Sequence, residues 1–239
     1  MAEIVFIGGF ASSEYQVNWI ANKMSIACEE EVEGITFVDA SRNLELTASK
    51  IHLKSVKTHS AGFMATQEVL RRIPETKPLE IQAIAPPNPT PQLMLLHRSR
   101  RIGLNLMVDS FKHPESAASN FLHGAYILGE VALHSAQHVS AIPKIAKFNA
   151  VDMASLNNSR NIPTELVIMN NDEFFELGYE DILKAKREDV RITYIRGEHG
   201  DLICRPEFVL GRIASAKALS GIDDSRASGE KLHPVQVPA

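Results

Sequence analysis

Three short stretches of this 239-residue chain carry side chains able to attack a carbonyl. Ser60 stands in Thr58-His59-Ser60-Ala61-Gly62, between a strand-like run and a helical one, with small residues directly after it. A serine in so sharp a turn needs small neighbours, so that its hydroxyl stands clear while the backbone crowds past. Asp172 follows the apolar run 166–169 through Asn170-Asn171, with Glu173 beside it as a second carboxylate. His199 lies in Arg196-Gly197-Glu198-His199-Gly200-Asp201, beyond another apolar run. A hydroxyl, a carboxylate and an imidazole can together carry out nucleophilic acyl transfer, the imidazole taking the hydroxyl proton. Taken singly, each has an ordinary explanation: a plain strand-to-helix junction, a helix cap and a solvated loop histidine.

The elements that must position these residues follow from periodicity. Ile4-Val5-Phe6-Ile7, β-branched and aromatic, reads as a buried strand stopped by Gly8-Gly9. Residues 14–28 have helical apolar spacing, and the run 35–38, ending at Asp39, is expected to be the next strand. A third strand is expected over 52–59, a helix after Ser60, and a fourth strand over 79–85, closed by Pro86-Pro87. Strands return at 166–169 and 190–195 with a helix at 178–187 between them, and another helix begins near Pro206. Alternating β and α elements predict an α/β fold, a mainly parallel sheet flanked by helices. Such a sheet gathers its site outside the carboxyl ends of its strands, which is where Ser60, Asp172 and His199 fall. The core is expected over 1–87 and 164–220, a helical cap insertion over 88–163, and a flexible tail over 221–239.

The pentapeptide resembles the nucleophile elbow G-x-S-x-G of the α/β-hydrolase family, in which histidine often precedes the serine, as His59 does. Thr58 replaces the first glycine, and the strand leading in is more polar than a central strand is expected to be. The order Ser, Asp, His along the chain is the family's own. The resemblance implies Ser60 as nucleophile, Asp172 orienting the base (Glu173 in reserve) and His199 as general base. It also implies an oxyanion hole from the backbone N–H of Phe10 or Ala11, in the loop after the first strand, and of Ala61. A serine hydrolase follows, cleaving a small carboxylic ester or thioester through an acyl-enzyme, with a small-molecule acyl substrate and neither metal nor organic cofactor. A small amide or peptide hydrolase, or a non-catalytic ligand-binding protein of the same fold, is the alternative.

A remoter alternative is a dinucleotide-binding reductase, since a strand, a glycine turn, a helix and Asp39 imitate that unit. Gly8 and Gly9 are adjacent, so the fingerprint G-x-G-x-x-G is not met, and no tyrosine precedes a lysine by four positions. His134 and His138 share helical spacing but lack the glutamate of H-E-x-x-H; with His97, His113 and His123 they read as a polar cap surface. Arg98, Arg100 and Arg101 read as the solvated face of an amphipathic helix, or as a clamp for an anionic substrate group.

Bulk properties narrow the class. A net charge of -4 gives no electrostatic reason to expect nucleic acid or an anionic membrane as partner. Hydrophobic residues at 44% and charged ones at 23% are those of an ordinary globular domain. No run is long enough to span a membrane, and the first residues lack the features of a signal peptide. Cys28 and Cys204 have no paired spacing, so reduced thiols in a cytoplasmic setting are expected.

Overall fold

A computed structural model of the chain describes residues 3–10, 12–89, 121–122, 125, 129, 135–172 and 177–227. Six parallel strands form one sheet: β1 (Ile4–Ile7), β2 (Val32–Ile35), β3 (Ser55–His59), β4 (Glu80–Ile84), β5 (Thr164–Met169) and β6 (Arg191–Ile195). Their spatial order is β2-β1-β3-β4-β5-β6, every neighbouring pair parallel. The chain leaves β1 for β2 on one side and then crosses to β3 on the other. The connections that follow β1 and β3 therefore leave the carboxyl edge toward opposite sides of the sheet, the point at which an α/β sheet places its site.

The helices are α1 (Glu14–Cys28), α2 (Phe37–Arg42), α3 (Leu44–Ile51), α4 (Gly62–Arg72), α5 (Ser135–Lys147), α6 (Ala150–Ser159), α7 (Tyr179–Arg187), α8 (Asp201–Cys204) and α9 (Pro206–Ala227). Strand alternation divides them into two layers. Val5, Ile7, Val56, Ile81, Leu166 and Ile168 face a core shared with α2, α3, α4, α6 and α7. Phe6, Ile84, Val167 and Met169 face the other, shared with α1, α8 and α9. Burying each such side chain stabilises the fold by roughly 1.5–3 kcal/mol, so both sheet faces must be covered. Within the stretch read as an insertion, Ala150, Val151 and Ala154 of α6 belong to the first of these cores.

Three expectations differ from the structure. The second strand is Val32–Ile35, and Phe37 and Val38 begin helix α2 instead. The cause is Thr36, whose Oγ1 accepts from the Asp39 N–H at 3.0 Å and so starts a helix where the side-chain types favour a strand. Asp39 therefore lies within α2, its carboxylate accepting from the Thr36 hydroxyl at 2.7 Å, and the strand-end carboxylate on which the dinucleotide alternative rested is absent at this position. The closing helix continues to Ala227, into the stretch read as a tail; residues 228–239 lie outside the described residues.

The polarity of β3 also has a structural cause. Lys57, Gln82 and Glu165 are register partners on three adjacent strands. Glu165 accepts from Gln82 at 2.7 Å, Thr193 at 2.6 Å and Lys217 of α9 at 2.7 Å. Burial works to raise its pKa, yet those partners outweigh it and hold the carboxyl below its usual range. Lys57 joins the row through Gln82 at 3.4 Å.

Candidate active site

Ser60 follows the last residue of β3 and has φ of 51°, a left-handed conformation that costs a non-glycine residue about 1–2 kcal/mol. Local bonds hold it there: its N–H donates to the Ile84 carbonyl at 3.0 Å, and its carbonyl accepts from Phe63 at 3.2 Å. The turn throws α4 back against the end of β1. A Cβ on Gly62 would lie 2.4 Å from the Ile7 oxygen and 2.7 Å from the Gly8 oxygen, so only glycine fits. Thr58, by contrast, is accommodated with its side chain fully buried and its hydroxyl unpaired.

The β1 loop runs alongside this turn. A Cβ on Gly9 would come within 2.9 Å of Ser60 Cβ and 3.1 Å of the His59 carbonyl oxygen. Glycine therefore lets the two loops touch, bringing Phe10 to the neighbourhood of Ser60; the Phe10 ring packs 6.2 Å from that of Phe37. Ala61 is buried at the head of α4, and its N–H donates to no described backbone carbonyl. Helix-start N–H groups of this kind are free for an anion. Ala11 and Glu173 lie outside the described residues, as do His97, His113, His123, His134, Arg98, Arg100, Arg101 and the His138 side chain.

The loops after β5 and β6 are stitched together. Asn170 N–H donates to the Ile195 carbonyl at 3.0 Å and Asn171 N–H to that of Gly197 at 3.1 Å. Asp172 and His199 are thereby brought face to face, with His199 Nδ1 2.9 Å from Asp172 Oδ2. Both are buried, at 3% and 7% exposure, so solvent competes little for the bond. The carboxylate accepts the Nδ1 proton, which leaves Nε2 as the imidazole's basic nitrogen. Asp201 braces the loop by accepting from Glu198 N–H at 2.9 Å and pairing with Arg205 at 2.5 Å.

His59 joins the two halves. Its Nε2 is 3.2 Å from the His199 carbonyl, and the two rings lie tilted at 39° with centroids 4.8 Å apart. A carbonyl oxygen only accepts, so Nε2 of His59 carries the proton and its Nδ1 is bare; that nitrogen is buried without a partner. Burial, reinforced by the neighbouring His199 and opposed by the bond to the His199 carbonyl, pulls its pKa from the ordinary 6.5 to about 3. His59 is thus a neutral link between the residue next to Ser60 and the loop of His199. In the sequence His59 stands out only as the residue preceding the serine, since nothing in its spacing tells of a contact 140 positions away.

Among the described residues no group of three or more His, Cys, Asp or Glu could hold a metal ion, and no helix is long and apolar enough to cross a membrane. No family model and no curated protein matches the chain. Solved structures do resemble it. An N-formylmaleamic acid deformylase from Pseudomonas putida has a TM-score of 0.60 at 11% identity, over 89% of this chain and 91% of that one. A carboxylesterase structure from the ammonia-oxidizing thaumarchaeon Nitrososphaera gargenis has a TM-score of 0.58 at 12% identity, over 92% and 91%. An extracellular α/β-hydrolase from Paenibacillus has a TM-score of 0.52 at 14% identity, over 89% and 98%. At these identities the likeness is one of architecture, and the architecture of this chain is the α/β-hydrolase fold.

Proposed function

We propose that the protein is a serine hydrolase that cleaves a small carboxylic ester or thioester. The observation that carries this reading is the buried 2.9 Å bond between His199 and Asp172, formed at the strand ends next to the left-handed turn of Ser60. In the proposed reaction Ser60 Oγ attacks the carbonyl carbon as His199 Nε2 takes its proton. The carbonyl oxygen becomes an oxyanion held by the N–H groups of Ala61 and of Phe10 or Ala11. Collapse breaks the bond to the leaving alcohol or thiol, which receives the proton from Nε2. Water, deprotonated by the same nitrogen, then attacks the acyl-Ser60 ester and releases the acid, restoring both side chains. Asp172 keeps the Nδ1 proton in place throughout and stabilises the transient imidazolium.

Neutral His59 suits this cycle, because a second cation with its ring centroid 4.8 Å from that of His199 would oppose imidazolium formation. The helical cap insertion expected over 88–163 is the proposed source of substrate selection. Free thiols at Cys28 and Cys204 suit a reducing, cytoplasmic compartment. The reading is tested on chromogenic esters of increasing acyl length. Turnover by the native protein and its loss in Ser60→Ala are expected; equal turnover by the two would sink it.

A further inference from the structure

A cavity of about 740 Å³ lies on the flank of the sheet, between α2 and α4 on one side and α5 and α6 on the other. That volume is within the range of small-molecule sites. One end reaches Phe37; the other reaches Arg72 and Arg160, near the amino ends of the strands. Neither Ser60, Asp172 nor His199 lines it, so it is separate from the site above.

Its wall is amphiphilic. Phe37, Leu44, Met64, Phe148 and Met153 supply apolar surface. Among them stands Gln67, only 8% exposed, whose Nε2 is buried without a hydrogen-bond partner. The rim is cationic in a chain whose net charge is -4. Arg71 and Arg72 are occupied by Glu68, and the other lining carboxylate, Asp152, by Lys184. Arg42, Lys144, Lys147 and Arg160 line the cavity with exposed side chains and have no carboxylate partner among the described residues. Four uncommitted cations beside an apolar wall attract one chemistry above others: a negative head on an apolar chain.

We propose that this cavity binds an amphiphilic anion, a chain carboxylate whose tail lies along Met64, Phe148 and Met153 and whose head meets Lys144, Lys147 and Arg42. The site stands whether or not Ser60 is a nucleophile.

The test is calorimetric titration of the full chain with sodium dodecanoate below its micelle-forming concentration, with dodecanol as the uncharged match. One-to-one binding is expected, weakened by added salt and by about tenfold in K144Q/K147Q, the sum of two partly exposed charge contacts. R42Q, on a different helix, should weaken it by about threefold should the double variant fold poorly. A diazirine-bearing dodecanoate should label peptides containing Met64, Phe148 or Met153. Absence of binding, equal binding of dodecanol, indifference to the rim variants, or labelling at Ser60 and His199 would each overturn the proposal.

Discussion

Replacing His59 with glutamine should remove a defined part of the protein's acid sensitivity. In the folded chain His59 stays neutral down to about pH 3, held there first by burial and then by His199. Unfolded, it titrates near its ordinary value of 6.5. Between those two values the unfolded chain binds a proton that the folded chain refuses, so stability falls as pH falls through the window. Above it and below it the contribution is flat. The slope approaches about 1.4 kcal/mol per pH unit, so lowering pH from 7 to 4.5 removes about 2–3 kcal/mol through this side chain alone. Urea unfolding of the native protein and His59→Gln at pH 7, 5.5 and 4.5 isolates the effect, because the other histidines are common to both. The variant should start less stable by about 1–3 kcal/mol and lose less on acidification. Equal losses in the two proteins, within about 0.5 kcal/mol, would refute the assignment of His59 as a buried neutral group.

The remaining predictions concern the turn and the base. Asp172→Asn preserves shape but no longer holds the proton on Nδ1, so kcat on a chromogenic ester should fall by about ten thousandfold with the thermal midpoint little changed. In Gly62→Ala the new Cβ meets the Ile7 carbonyl oxygen at 2.4 Å. Backbone cannot retreat as a side chain can, and a loss of about 2–4 kcal/mol in urea unfolding is expected. Gly9→Ala presses instead on Ser60 Cβ at 2.9 Å, so it should lower kcat by about 10–100-fold while costing less stability than Gly62→Ala.

What sequence reading reached, and where it stopped, follows from the range of the forces involved. Ile4–Ile7, Glu14–Cys28 and the turn at Ser60 were legible because their signals are local: a β-branched run, helical apolar spacing, small residues after a serine. The stretch around Phe37 and Val38 misled because strand-favouring side chains were overruled by one hydroxyl, the Thr36 cap, a signal present in Thr36 and Asp39 but outweighed by composition. The polar β3 looked unsuited to a central strand because the partners of Lys57 lie on other strands, at Gln82 and, through it, Glu165. Those partners appear only once register is fixed. The links between the loops of Ser60 and His199 through His59, and the gathering of Arg42, Lys144, Lys147 and Gln67 round one cavity, are likewise products of tertiary packing. No local pattern encodes them.

The central claim is that Ser60 is a nucleophile activated by His199. It is tested most directly by reacting the folded protein with a fluorophosphonate and mapping the adduct by peptide mass spectrometry. A single adduct on Ser60 is expected, formed orders of magnitude more slowly in His199→Ala. Folded protein that carries no adduct on Ser60, or that labels as fast without His199 as with it, would contradict the account.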